Sequence, residues 1–233
     1  LLLQDRDRLL SALEEKGINT VVLKGAAMLE KIYPDIGERQ ITDIDLLFLG
    51  GEEREASSIL EGLGYNIISL HPLIYNNGRT VVDVHTEVDS FTWIGSIAYA
   101  PKLDVDALWK EGLAWEKGFN HVRTLSPEDT ILTLSVHLVK HSFLRLFWLN
   151  DIAKVIKANP RLNWERLKRR AEDAGFDRLL FHVLNFLRQL FGLVPENFLT
   201  SIKPERIGFL EKETAGRIMK NQRFPGCGDI LYL

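Results

Sequence analysis

Leu2, Leu9, Leu10 and Leu13 recur at helical spacing, with Asp5, Arg6, Arg8 and Glu14 elsewhere around the wheel. This pattern predicts an amphipathic helix over Leu1–Lys16, stopped by Gly17. The period then shortens. Thr20–Leu23 is a β-branched run expected to form a strand, and Gly25 follows as the expected site of a tight turn and of close backbone approach by a ligand. A helix is expected over Ala26–Ile32, ended by Pro34. After a loop from Asp35 to Thr42, the apolar run Leu46, Leu47, Phe48 predicts a buried strand over Asp43–Leu49, closed by Gly50 and Gly51. Glu52–Leu63 reads as a helix, and Tyr65–Leu70 and Leu73–Tyr75 as strands. Asn76-Asn77-Gly78 reads as a hairpin turn before a returning strand over Thr80–Thr86. These elements make a mixed sheet of four or five strands.

Beyond residue 100 the pattern is helical. Ser126-Pro127-Glu128-Asp129 places a capping hydroxyl, a first-turn proline and two acids at a helix start. That helix is expected to run to Phe143, with others near Leu146–Lys157, Trp164–Ala174, Asp177–Phe191 and Pro204–Lys220. Phe91–Pro101 reads as the crossover between domains. The expected fold class is therefore α+β: an α/β domain over residues 1–100 in which helices flank the mixed sheet, then a mostly helical domain over 101–233.

Composition narrows the function without naming it. The chain has 233 residues, 45% of them hydrophobic, enough for a sizeable core. A formal net charge of −3 argues against tracking along a nucleic-acid backbone, which calls for a basic surface. The single cysteine, Cys227, cannot form an intrachain disulfide and fits a reducing compartment, so a cytoplasmic location is expected. No run reaches the length of a membrane span, and no membrane partner is expected. The chain opens at Leu1 rather than Met, so a preceding segment is expected.

The chemistry gathers around Asp43-Ile44-Asp45. On a strand, residues two apart project to one face, so both carboxylates point the same way. Such a pair is either a solvated feature beside a turn or an oxygen site for a hard cation such as Mg²⁺. Asp83 lies on the later strand, and His85 and Glu87 continue its face. His85 reads as a substrate contact, as a base toward a nucleophile, or as a histidine hydrogen-bonded to a carboxylate. His137 and His141 are four apart on a helix, a spacing that can chelate zinc. No glutamate follows His137 and no third ligand is evident, so packing or a cleft-facing polar contact is the better reading. Lys168-Arg169-Arg170 reads as a solvated basic face.

The order strand, glycine turn, helix, Asp-x-Asp strand, then a later strand with one Asp resembles the nucleotidyltransferase superfamily of DNA polymerase beta. The nearer resemblance is to the bacterial group of uncharacterised nucleotidyltransferases. It rests on Leu23-Lys24-Gly25, Tyr33-Pro34, Arg39 and Asp43-Ile44-Asp45-Leu46-Leu47, runs from about Ile18 to Glu87, and resumes weakly near His137. A Trp148…Asp151 pattern is similar to the helical half of that family.

The resemblance implies a Mg²⁺-dependent transfer of a nucleoside monophosphate from a nucleoside triphosphate such as ATP. Asp43, Asp45 and Asp83 would hold two Mg²⁺ ions, with Mn²⁺ able to substitute. It implies nucleotide binding by Lys24, Gly25, Ala26 and Arg39, and makes His85, His137 and His141 candidate substrate contacts. Many superfamily members carry Gly-Ser, whereas this chain reads Gly25-Ala26 and lacks the hydroxyl. Lys24 either supplies charge to phosphate or pairs with an Asp, and Arg39 reaches phosphate or pairs with Asp43. The acceptor is left open among a small molecule, a peptide, a protein and an RNA end. The alternatives are a non-catalytic nucleotide-binding or regulatory module on the same fold, and a metal-dependent hydrolase using His137 and His141. Without a cation the three carboxylates should repel, so Asp45→Asn is expected to raise the metal-free melting temperature.

Overall fold

The strand β2 (Asp43–Phe48) lies inside the sheet, and everything from Ile44 to Phe48 is buried. The computed structural model describes residues 1–70, 73–88, 102–116, 118–141, 143, 146–209, 212–213 and 215–216. The expected crossover at 91–101 and Cys227 lie outside them. The chain divides into two compact units, Leu1–Val88 with Asp104–Ser126, and Asp89–Leu103 with Pro127–Leu233.

The first unit runs α1 (Leu2–Glu15), β1 (Thr20–Leu23), α2 (Lys24–Ile32), β2, α3 (Glu53–Gly62), β3 (Asn66–Leu70), β4 (Leu73–Asn76), β5 (Val81–His85), α4 (Val105–Lys110), β6 (Leu113–Ala114) and β7 (Val122–Thr124). The strands form one mixed seven-stranded sheet in the order β3-β4-β5-β2-β1-β7-β6. This exceeds the expected four or five, because β6 and β7 join from beyond residue 100. β1 pairs antiparallel with β2 and parallel with β7, so its four residues are buried as befits a central strand. β2 and β5 run parallel. The β4–β5 hairpin turns at the expected place: Gly78 takes φ +86°, and the Asn77 side chain accepts from the amides of Arg79 and Thr80.

Two polar anchors from α1 fix this unit. Arg6, expected on the wet side of the helix, is instead 2% exposed. Its guanidinium donates to the carbonyl of Ala26 at 3.0 Å and to Glu30 at 2.5 Å, and lies 4.9 Å from the Trp115 ring centre. Arginine tolerates this burial because every direction of its planar fork finds an acceptor or a ring face. Glu14 accepts the backbone amides of Asn120, His121 and Val122, which fixes the entry to β7.

The second unit contains α5 (Pro127–Lys140), α6 (Leu146–Ala158), α7 (Trp164–Asp173), α8 (Asp177–Phe191) and α9 (Glu196–Ser201). α5 packs on α6, α7 and α8. Gly192 ends α8 at φ +67°. Residues 204–208 are not helical, and α9 lies earlier than the last expected helix. Arg170, expected on a solvated face, turns inward: Asp129 accepts from Arg170 Nε and Arg166 Nη2, each at 2.8 Å. Glu128 accepts the amide of Asn163 at 2.7 Å. Asp129 is fully buried, so its charge requires these partners.

Candidate active site

The parallel register of β2 on β5 sets Asp45 opposite Asp83 and Leu47 opposite His85. Residues two apart share a face, so Asp43, Asp45, Asp83 and His85 project from the same side of neighbouring strands. His85 Nε2 lies 3.0 Å from Asp45 Oδ1 and 3.4 Å from Asp83 Oδ2. One ligand atom from each of Asp45, Asp83 and His85 falls within 4.8 Å of the other two. Among the described residues this is the only such group of three potential metal ligands. His137 and His141 are not in it. Their rings, 4.5 Å apart, pack with Trp148 in the helical unit, as the packing reading expects.

Lys24 enters from the neighbouring strand. β1 pairs Leu23 with Asp45, so the next residue lies at the sheet end beside that carboxylate. Its ammonium sits 2.7 Å from Asp45 Oδ1, which takes up the Asp-pairing reading of this lysine. Lys24 also carries the turn from β1 into α2, at φ +50°. A left-handed conformation costs a non-glycine residue on the order of 1–3 kcal/mol and is tolerated where surrounding contacts enforce it.

Gly25, expected to make that turn, is helical. What it needs is room: a Cβ at 25 would stand 2.4 Å from Ile41 Cγ2. The close approach is therefore that of the loop before β2, and a bulky residue at 25 would disturb packing before it met any ligand. Ala26 is wholly buried. Arg39 donates to the carbonyl of Gln40, and its Nη2 lies 3.8 Å from where a Gly25 Cβ would be, beside the first turn of α2. The residue before that turn, Leu23, supplies no side-chain cap.

The two central carboxylates differ electrically. Burial alone would push the Asp45 carboxyl up, but the Lys24 ammonium and the His85 hydrogen bond outweigh it and hold the group down at about 2. Burial pushes the Asp83 carboxyl up, and the charges of Asp45 and Asp43 add to this against His85 and Lys24. The strain expected of Asp45 thus falls on Asp83. Asp83 Oδ1 is buried with no hydrogen-bond partner among the described residues. A buried acceptor without a donor is rare in native proteins, and a cation is one of its ordinary explanations. The donor set of carboxylate oxygens and one imidazole suits a divalent ion.

Strand parity brings Asp45, Asp83 and His85 together, while Asp43 shares their face but stands outside that group; the Ile41 contact behind Gly25 and the Arg6 anchor on Ala26 have no such local sign. The signal for the Ile41 contact was the glycine itself, which marks a close approach without naming what approaches.

No curated protein matches the chain. A crystal structure of ANT(2")-Ia in complex with adenylyl-2"-tobramycin superposes with a TM-score of 0.52 and 18% identity, over 74% of this chain and 97% of that one. A solution structure of the antibiotic-resistance factor ANT(2'')-Ia gives 0.49 and 18% identity, over 75% and 90%. The first shares the mixed-sheet fold. The sequence model of a family described as uncharacterised nucleotidyltransferases matches residues 1–192. That match spans most of the chain and places it in this family of uncharacterised nucleotidyltransferases, as an enzyme of nucleotide transfer.

Proposed function

We propose that this enzyme transfers a nucleoside monophosphate from a nucleoside triphosphate to a hydroxyl-bearing acceptor, with a divalent cation held by Asp43, Asp45 and Asp83. The observation that carries the proposal is the register match of Asp45 with Asp83, together with one buried oxygen of Asp83 that has no donor among the described residues. Bound there, the cation would neutralise charge on the attacking and leaving oxygens of an in-line displacement.

The chain's own groups supply the rest. In this reading the start of α2, at Gly25 and Ala26, is where the phosphates bind, with Arg39 beside it. Lys24 is within reach of the same region and binds phosphate as a point charge once released from Asp45. In the reaction the acceptor oxygen bonds to the α-phosphorus, the bond from that phosphorus to the bridging oxygen breaks, and pyrophosphate leaves. The acceptor proton passes to a basic group or to water.

The alternative of a binding module without catalysis draws on one observation. Ala26 is buried where many superfamily members present a serine hydroxyl. The two readings part in one experiment. Each of ATP, CTP, GTP and UTP, labelled at the α-phosphate, is incubated with the protein, Mg²⁺ or Mn²⁺, and a panel of aminoglycosides, peptides, RNA and cell extract. Label appearing in a new product together with pyrophosphate supports transfer. Nucleotide bound in a calorimeter with no label moved, across the whole panel, supports the binding module.

A further inference from the structure

We propose that His85 is a direct nitrogen ligand of the cation, and that it tilts the site toward a first-row transition ion such as Mn²⁺ over Mg²⁺. The inference rests on the nucleotidyl-transfer reading only in taking Asp45 and Asp83 as cation ligands.

The distances carry it. Two ligands at right angles about an ion with bonds of ~2.1 Å stand about 3.0 Å apart, and two at a tetrahedral angle about 3.4 Å. His85 Nε2 stands 3.0 Å from one carboxylate oxygen and 3.4 Å from the other. Both separations from Nε2, the shorter of which is a hydrogen bond in the metal-free site, match those of neighbours in one coordination shell, and the two carboxylates lie within 4.8 Å of one another. The position is also built into the fold, because His85 is fixed by β5 itself and by the parallel register with β2.

Asp45 Oδ1 is approached by two nitrogens, Lys24 Nζ at 2.7 Å and His85 Nε2 at 3.0 Å. They differ in what they can do when a cation arrives. An ammonium has no lone pair and is repelled, so Lys24 must leave. An imidazole can present a ring-nitrogen lone pair, so His85 can stay and bind. The Asp83 carboxylate that meets His85 through Oδ2 also carries Oδ1, buried and without a donor among the described residues. Mg²⁺ is hard, favours oxygen and gives up water reluctantly, whereas imidazole nitrogen raises affinity along the first transition row. An Asp-Asp-His set therefore discriminates where an all-carboxylate set would do so less.

The test uses the whole chain without nucleotide, with Mn²⁺ and Mg²⁺ as probes. Free Mn²⁺ is followed by electron paramagnetic resonance while Mg²⁺ competes, for the parent, His85→Asn and His85→Gln. The parent is expected to bind Mn²⁺ at least about tenfold more tightly than Mg²⁺, and both variants to shrink that ratio by about fivefold or more, losing Mn²⁺ affinity more than Mg²⁺ affinity. Pulsed resonance on the Mn²⁺-loaded parent should show a directly coupled nitrogen that the variants lack. That measurement on the parent stands even if neither variant folds. Bound Mn²⁺ with no coupled nitrogen, or a ratio unchanged in folded variants, overturns the role of His85 alone. No Mn²⁺ bound at all overturns both this role and the cation site of the proposed function.

Discussion

Each of the two units buries an acidic side chain among cations, and the two sites balance in opposite ways. In the helical unit, Asp129 is fully buried and each oxygen receives a guanidinium nitrogen at 2.8 Å. Both oxygens of the acid are paired, and with Glu128 sharing Arg166 the cluster holds two acids and two guanidinium groups. At the sheet end, Asp45 is almost as buried, yet it shares one ammonium and one imidazole with a second carboxylate whose Oδ1 has no partner among the described residues. In the first arrangement the acid is fully paired, and the buried atom without a partner among the described residues is a donor, Arg170 Nη2. The second is short of positive charge, which is a poor way to hold a fold together and a good way to recruit a cation.

The contrast breaks most visibly at Asp129. Asp129→Ala would strand two guanidinium groups against the buried faces of α5 and α7. A loss of about 3–5 kcal/mol is expected in urea denaturation, whether or not a divalent cation is present. A cation-dependent loss would mean that the helical cluster is not self-sufficient.

Next in size is the pairing of Lys24 with Asp45. The folded carboxyl, held at about 2, lies below its ordinary value of 3.8. The pair therefore contributes stability above pH ~4 that is lost as pH falls toward 2, up to roughly 2 kcal/mol. Lys24→Met keeps the backbone demand and removes the ammonium. In metal-free buffer it should be destabilised by about 1–2 kcal/mol at pH 7, with the gap to the parent narrowing between pH ~4 and pH ~2.5. A gap that does not change with pH would assign the lysine to packing. Asp45→Asn, expected from sequence to stabilise the empty protein, should for the same reason destabilise it.

The smallest effect has the opposite sign. Burial raises the Asp83 carboxyl, so ionised Asp83 weakens the metal-free fold increasingly as pH rises above about 4, the ordinary range of the group. Asp83→Asn should be more stable than the parent by up to about 1 kcal/mol in metal-free buffer at pH 7, and indistinguishable from it below pH ~4. Adding Mn²⁺ should stabilise the parent and leave the variant behind, because an ion that binds only the folded state adds its binding energy to folding. A variant less stable than the parent in metal-free buffer at pH 7 would make Asp83 a structural acceptor like Asp129.

Much of this site is legible in the amino-acid order. Parity on two apolar runs sets Asp43 with Asp45 and Asp83 with His85, because strand period is strict. Caps and periodicity place α5 through α8 within a few residues. What escapes depends on partners distant in the chain. β6 and β7 are two and three residues long, and β7 exists by pairing with β1 about a hundred residues earlier. No local pattern encodes that. Arg6 and Arg170 read as surface cations because a helical wheel shows which residues share a face but not which acids await them across a packed interface. Lys24 reads equally as a phosphate ligand and as an Asp partner, and only the pairing of Leu23 with Asp45 decides where its ammonium rests.

The place of β7 has a practical side. Composition changes near residue 100, which invites expression of the first hundred residues as a minimal fragment. Such a fragment would lack β7 and leave the second edge of β1 open, a strand of Thr20, Val21, Val22 and Leu23 whose side chains are buried in the intact unit. An uncharged apolar edge of this kind is a template for pairing with other copies. A fragment ending at 100 should precipitate or form large oligomers on purification, whereas one carried through Ser126 retains the closing strand.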